Sequence, residues 1–459
     1  MTKLAAVLVA CSLGGVLLGG ASAAAGTDWP SFGNSVGAAS TGITAANIGK
    51  LHRQQVHIDG TVDSAPIYLH GVTIRGAAHD AFFFTTTYGK TEALDATNGK
   101  LLWRYTPPAY GSFAGSAQVT VMTPAADPAR TAIYAGESDG HIVKLAVATG
   151  KLLWSTPITR DPTHEKLAGS LSYSRGLVIA ATDGYDGDAP PYQGHVVTLN
   201  PANGHIEAVW NSLCSDRHAI IQPSTCSTSD SGIWGRSAPV IDPANGDILV
   251  ATGNAPYDGK TNWGDSVVVL SPDAKTLLKH WTPVNQADLN AQDLDLGSTA
   301  PALINGSYLV QGGKDGKLRL LSLTRMAGAD SKTGGELQTV PTPGSSALRS
   351  QPVAWLGKWV FVSDDAGTAG WRFSGGRLHA AWSNSFPGTS PVVAGGLLYV
   401  QGSTGIHVYI PSSGHEVADL PVGAAHWQSP LVADGRVATG EGNSNDRATT
   451  GVFDIFRLG

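Results

Sequence analysis

With 459 residues, only 14% of them charged, and a net charge of −6, the chain has no general attraction for nucleic acid or anionic lipid, and no basic run supplies a local one. Its 57 glycines and 26 prolines favour many short strands joined by turns over a helical fold, and 42% hydrophobic residues suffice for a large core. The length fits two or three ordinary domains or one large all-β propeller.

Met1-Thr-Lys3, the apolar Leu4 to Leu18 and Ala21-Ser-Ala23 read as a cleavable export signal over residues 1–23, leaving 24–459 as one domain. Leu8-Val-Ala-Cys11 also resembles a lipobox, but the apolar run continues past Cys11. Cleavage near Ala23 or Ala25 is therefore the expectation, and with it a periplasmic or extracellular location. No other stretch is long enough to span a bilayer. The mature chain would keep two cysteines, Cys214 and Cys226, twelve apart in a Ser/Thr-rich loop. In an exported protein this spacing predicts a disulfide, and with only His218 nearby a metal site is the weaker reading.

From residue 94 onward a pattern recurs: a strand, an Asp-x-x-x-Gly type of turn, and a strand ending in tryptophan. It reads Leu94-Asp-Ala-Thr-Asn-Gly-Lys-Leu-Leu-Trp103, then Leu145-Ala-Val-Ala-Thr-Gly-Lys-Leu-Leu-Trp154, then Leu199-Asn-Pro-Ala-Asn-Gly-His-Ile-Glu-Ala-Val-Trp210. A looser copy ends at Trp281, and one from Tyr409 to Leu420 keeps the turn without the tryptophan. A proline precedes an apolar run at Pro66, Pro239, Pro301, Pro352, Pro391 and Pro430, the last three 39 residues apart (391 − 352 and 430 − 391). A period of about forty to fifty residues with several short strands per unit predicts an eight-bladed β-propeller of four-stranded antiparallel blades. The units run roughly 64–107, 116–158, 169–212, 236–283, 298–343, 348–386, 389–423 and from 427 onward. The last is one strand short, and 51–58 has no partner of its own, so this strand is expected to complete the final blade and close the ring. Trp103, Trp154, Trp210 and Trp281 then read as core between blades.

The stretch 231–270 stands apart from the repeat. Trp234 lies between Gly232 and Gly235, outside the blade-tryptophan position, and the apolar run to Ala251 stops in Thr252-Gly-Asn-Ala-Pro256. Such a strand end presents a short amide where glycine allows close approach to the backbone. The repeat around Ala93 to Trp103 resembles that of pyrroloquinoline-quinone-type propellers, which include quinoprotein alcohol dehydrogenases and non-catalytic outer-membrane assembly scaffolds. The resemblance runs from Asp28-Trp29 to Phe456.

Four motifs resemble the quinone site of those dehydrogenases. By that resemblance, Trp234 in Ile233-Trp-Gly-Arg236 would supply the aromatic floor under the quinone, and Asn254 an amide oxygen to calcium. Asp293 and Asp295, in Asp293-Leu-Asp295, would supply the catalytic carboxylate, and Lys314, in Lys314-Asp-Gly316, a cation for the quinone oxygens. The chemistry suits these types. Calcium takes hard oxygen ligands and acts as a Lewis acid, a carboxylate serves as general base, and an ammonium stabilises developing negative charge.

The departures are specific. The family's calcium-ligating glutamate has no counterpart in Ala181-Thr-Asp-Gly-Tyr-Asp-Gly-Asp-Ala-Pro190, which offers Asp183, Asp186 and Asp188 instead, with Asp188 taken as the metal ligand. The adjacent-cysteine disulfide over the quinone and any Cys-x-x-Cys-His haem motif are absent from the sequence, so electrons would leave to a separate acceptor. Two readings stay open. One is an exported quinone- and calcium-dependent dehydrogenase of an alcohol or sugar, and the other is a propeller serving as a protein-interaction scaffold in the envelope. Glycan binding at a rim of Trp263, His426 and Trp427 is a third and weaker one.

Overall fold

The computed structural model describes residues 26–33, 41–185, 189–328 and 330–459. The expected export signal and Asp188 lie outside them. Among the described residues are eight four-stranded antiparallel sheets and one two-stranded ladder. The sheets follow one another in chain order, and first strands of neighbouring sheets touch along the axis, making an eight-bladed propeller. Strand starts at Ile67, Val240, Ala302, Val353, Val392 and Leu431 each fall one residue after a proline of the sequence series. That position suits a residue that cannot donate to a ladder.

Middle strands are buried on both faces, as in Ala132–Gly136, His195–Leu199 and Leu397–Gln401, because each blade is sandwiched between two others. Outer strands such as Leu152–Pro157 alternate between half-buried and exposed.

The repeated turn and the repeated tryptophan turn out to be two halves of one contact. Asp95 Oδ1 accepts the backbone N–H of Thr97 (2.8 Å) and of Asn98 (3.2 Å), which closes the turn. The Trp103 indole then crosses to the next blade, where its N–H donates to Val147 O at 2.7 Å. Its ring lies on Gly150, where an added Cβ would sit 2.5 Å from Trp103 Cε3 and where φ is +71°. Only glycine meets both demands. Trp154 repeats the arrangement on Pro201 O and Gly204, and so does Trp382 on Pro411 O and Gly414. Trp154 is only half-buried, so its packing is looser than that of Trp103, Trp210 and Trp281.

Ring closure is as expected from the unpaired N-terminal strand. Leu51–Ile58 pairs residue for residue with Gly451–Leu458, from Leu51 opposite Leu458 to Ile58 opposite Gly451. Arg53 ties the seam to Asp454 (2.9 Å) and to Glu441 (2.6 Å). Closure pairs an edge that would otherwise be open to another chain.

Candidate functional site

The site forms where extra chain enters the channel between blades three and four. Residues 231–233 act as an added strand bonded on both sides. Ser231 N–H donates to Asn254 O (2.7 Å), Gly253 N–H to Gly232 O (2.8 Å), and Ile233 N–H to Thr182 O (3.0 Å). This segment delivers Trp234 to the channel with its ring partly exposed. It is reached through the loop that the Cys214–Cys226 disulfide ties together, with Cα atoms 6.2 Å apart.

Two glycines let carboxylates close on this backbone. A Cβ on Gly232 would lie 1.9 Å from Asp183 Oδ1, and one on Gly253 would lie 2.6 Å from Asp295 Oδ1. Only hydrogen leaves room for the carboxylates at those two points.

The residues singled out from sequence come together here. Asp295 Oδ1 accepts the Asn254 backbone N–H at 2.7 Å, and its Oδ2 lies 2.6 Å from Lys314 Nζ. Asp293 Oδ1 takes both the Asn254 side-chain N–H (2.9 Å) and Lys314 (2.8 Å), so one lysine bridges the two carboxylates. Lys314 Nζ is 5.6 Å from the Trp234 ring centroid, within reach of a cation–π contact. With its amide nitrogen turned to Asp293, Asn254 leaves Oδ1 buried without a hydrogen-bond partner. A buried orphan carbonyl of this kind calls for a donor or a cation.

The two aspartates differ in setting. The Asp293 side chain is 62% exposed, whereas that of Asp295 is 12% exposed. Burial pushes the Asp295 carboxyl above its ordinary range, with Lys314 pulling it back. Burial disfavours the Lys314 cation in turn, but the adjoining Asp295 and Asp293 outweigh it and raise its pKa.

Some members were not identified from sequence. Asp183 is one of three aspartates in a stretch where the sequence reading takes Asp188 as the ligand, and the Glu165–Lys166 ladder with Asp183–Gly184 sets Asp183 beside Gly232. Burial drives Asp183 up to about 7 despite Lys166 and Arg236, and the charge of Asp295 adds to the rise. Asp265 accepts the Leu296 backbone N–H (3.0 Å), and burial pushes it up to about 8. Arg236 donates to Trp234 O (2.7 Å) and stacks 4.7 Å from the ring of Trp427, which meets Trp234 edge-on at 6.2 Å. The signal for Arg236 was its place two residues after Trp234. For Asp265 there was none.

Donor chemistry fits a hard cation held by Asn254 Oδ1, Asp295 and Asp183, and the open Trp234 face beside Lys314 fits a flat anionic ring. A separate trio on the second blade, Glu137, Asp139 and His141, keeps its ligand atoms within 4.8 Å of one another. Its groups are already engaged, His141 with Asp139 (2.9 Å) and Glu137 with the Tyr105 hydroxyl (2.7 Å).

Comparison with known proteins agrees with the fold. A family model described as outer membrane protein assembly factor BamB matches residues 50–218. Polyvinylalcohol dehydrogenase of Sphingopyxis sp. (strain 113P3) is 28% identical over 228 residues, 47% of this chain and 33% of that protein. The dehydrogenase subunit of alcohol dehydrogenase (quinone) from Gluconacetobacter polyoxogenes is 25% identical over 321 residues, 59% of this chain and 42% of that one. The chain thus spans well under half the length of these relatives. The crystal structure of quinohemoprotein alcohol dehydrogenase from Comamonas testosteroni superposes with a TM-score of 0.65 at 16% identity, covering 94% of this chain and 80% of that one. Among the described residues no helix is long and apolar enough to cross a membrane. In its repeat, its eight blades and these relatives, the chain is similar to the β-propellers with the pyrroloquinoline-quinone-type repeat and to the quinoprotein alcohol dehydrogenases.

Proposed function

We propose that this chain is an exported dehydrogenase that uses pyrroloquinoline quinone and calcium to oxidise an alcohol or sugar, passing electrons to a separate acceptor. The observation that carries the reading is the orphaned Asn254 Oδ1 beside the Asp295–Lys314 pair at the face of Trp234. Asn254, Asp295 and Asp183 would hold the cation, and Trp234 with Lys314 would seat the quinone. When bound, the quinone supplies a two-electron acceptor and the cation a Lewis acid.

The chain's own residues have distinct tasks. Asp295 would take the substrate hydroxyl proton on its carboxylate, and the upward shift that burial gives it makes it a stronger base than an ordinary aspartate. Lys314 would keep Asp295 oriented, and its ammonium would stabilise negative charge developing nearby. Asp293, exposed on the other side of Lys314, would hold the lysine and the Asn254 amide in place. The Cys214–Cys226 loop would hold the Trp234 segment against the channel.

The match to an outer-membrane assembly factor model favours a second reading, a cofactor-free envelope scaffold. Dye reduction by purified protein separates them. Turnover of an alcohol or aldose that requires both calcium and quinone supports the dehydrogenase, and no turnover across the panel with both supplied supports the scaffold.

A further inference from the structure

Asp265 has no part in the chemistry above, yet it stands between the segments that carry Asn254 and Asp295. It is fully buried in the turn that leads into the strand Val267–Leu270. Its backbone N–H donates to Gly253 O at 2.9 Å, one residue before Asn254. Its Oδ1 accepts the Leu296 N–H at 3.0 Å, one residue after Asp295. Its Oδ2 accepts from Gln286 Nε2 at 3.3 Å, and the same nitrogen donates to Ala255 O at 2.7 Å, one residue past Asn254. Gln286 is buried too, and it opens the short helix Gln286–Ala291 between blades four and five. Together the two residues hold the backbone on both sides of Asn254 and directly after Asp295.

The segments they join are in close contact. A Cβ on Gly264 would lie 1.9 Å from Ala255 O, and one on Gly297 would lie 2.5 Å from Gly253 N. Asp265 itself has φ at +48°, in the left-handed region that non-glycine residues enter at a cost and that Asp and Asn tolerate best. Its carboxylate can accept two N–H groups at once, one on each oxygen, which no apolar residue can do. Groups that hold the backbone and orientation of ligating side chains set the geometry of a site without entering it. The geometry at stake here is the spacing between the orphaned Asn254 Oδ1 and the Asp295 carboxylate.

We infer that Asp265, braced by Gln286, is a positioning residue that fixes the Asn254 side chain against the Asp295 carboxylate. What the spacing serves, a calcium ion, rests on the dehydrogenase reading, but the positioning itself is testable without metal or quinone.

The reporter is the Asn254 backbone N–H, which bonds Asp295 Oδ1 at 2.7 Å and makes no bond to Asp265. Its hydrogen exchange is followed by NMR on the full chain without metal, beside the amides of the strand Ile248–Ala251 as a measure of general loosening. Asp265→Gly, which accepts the positive φ and removes only the carboxylate, should speed Asn254 exchange at least tenfold and the strand amides less than twofold. Asp265→Asn, which keeps one acceptor, should restore part of the protection. Should Asp265→Gly fail to fold, Gln286→Met, which loses both donated bonds, carries the same measurement. Unchanged Asn254 exchange, or a strand that loosens equally, overturns the inference in favour of a merely structural Asp265. Calcium titrated calorimetrically into the same proteins separates the two claims. Affinity at least tenfold weaker in Asp265→Gly, and intermediate in Asp265→Asn, supports both. Faster Asn254 exchange with no calcium bound by the wild type defeats the calcium site and leaves the positioning standing. Calcium bound equally by wild type and Asp265→Gly defeats the positioning and leaves the calcium site standing.

Discussion

Replacing Lys314 with methionine probes the centre of the site, because it keeps an unbranched side chain, one atom shorter, and removes the ammonium with its charge and donors. Lys314 Nζ sits 2.6 Å from Asp295 Oδ2 and 2.8 Å from Asp293 Oδ1, with side-chain exposures of 15%, 12% and 62% for the lysine, Asp295 and Asp293. Deleting one partner of a buried pair costs about 3–5 kcal/mol while the other stays charged. Asp295 would keep the Asn254 backbone N–H, but without the lysine that hydrogen bond alone would oppose the rise that burial imposes. It would then take a proton on folding, and the cost would depend on pH. A carboxyl whose folded pKa is raised contributes stability that is present below its unfolded value and lost as pH rises through the folded value. In urea unfolding, Lys314→Met should therefore lie about 3 kcal/mol below the wild type at pH 8 and within about 1 kcal/mol of it at pH 5. Asp293→Asn, at the exposed end of the same bridge, should cost less than about 1 kcal/mol at either pH. An equal penalty for Lys314→Met at both pH values, or a larger one for Asp293→Asn, would refute the picture of one buried and one solvated pair.

Other consequences are open to equally direct measurement. Burial holds Glu137 up to about 7 against its hydrogen bond from Tyr105, so its contribution should fade between about pH 4.5 and 7. Glu137→Gln should thus be more stable than wild type at pH 8, by up to about 3 kcal/mol, and no more stable at pH 4; urea midpoints at the two pH values decide it. Gly150→Ala, which sets a Cβ against Trp103 at positive φ, should destabilise by about 2 kcal/mol in the same assay, and a neutral effect would undo the turn–tryptophan contact. Reducing Cys214–Cys226 should speed amide exchange over residues 211–235 while leaving the strand Ala132–Gly136 unchanged. Calcium at a hundred times its Kd should stabilise the protein by about 2.7 kcal/mol, an effect that Asn254→Ala should abolish.

The fold was readable because its signals are local and repeated. The Asp95 turn, the glycine it leads to and the tryptophan beyond recur within ten residues, and the prolines stand one residue before the inner strands. Trp382 escaped notice because its strand follows a Ser374-Gly-Gly turn instead of the Asp-x-x-x-Gly one, although it docks on Gly414 like the others. Four of the site motifs were readable by resemblance, since Trp234, Asn254, the Asp293–Asp295 pair and Lys314 keep recognisable neighbours. What was hidden depends on three-dimensional closure. Asp63 and His426 are 363 residues apart and meet only because Leu51–Ile58 completes the last blade. Asp183 shares its stretch with Asp186 and with Asp188, the one taken from sequence as the ligand, and the close approach to Gly232 that marks Asp183 has no signal in the sequence.

The most direct measurement is a pyrroloquinoline quinone titration of the calcium-loaded wild type, followed by quinone absorbance and tryptophan fluorescence, beside Trp234→Ala and Asn254→Ala. Saturable binding at micromolar quinone, with tryptophan quenching, weakened at least tenfold by Trp234→Ala and lost with Asn254→Ala, is the predicted result. No saturable binding to the wild type at that concentration, or binding indifferent to both substitutions, would contradict a quinone site at Trp234.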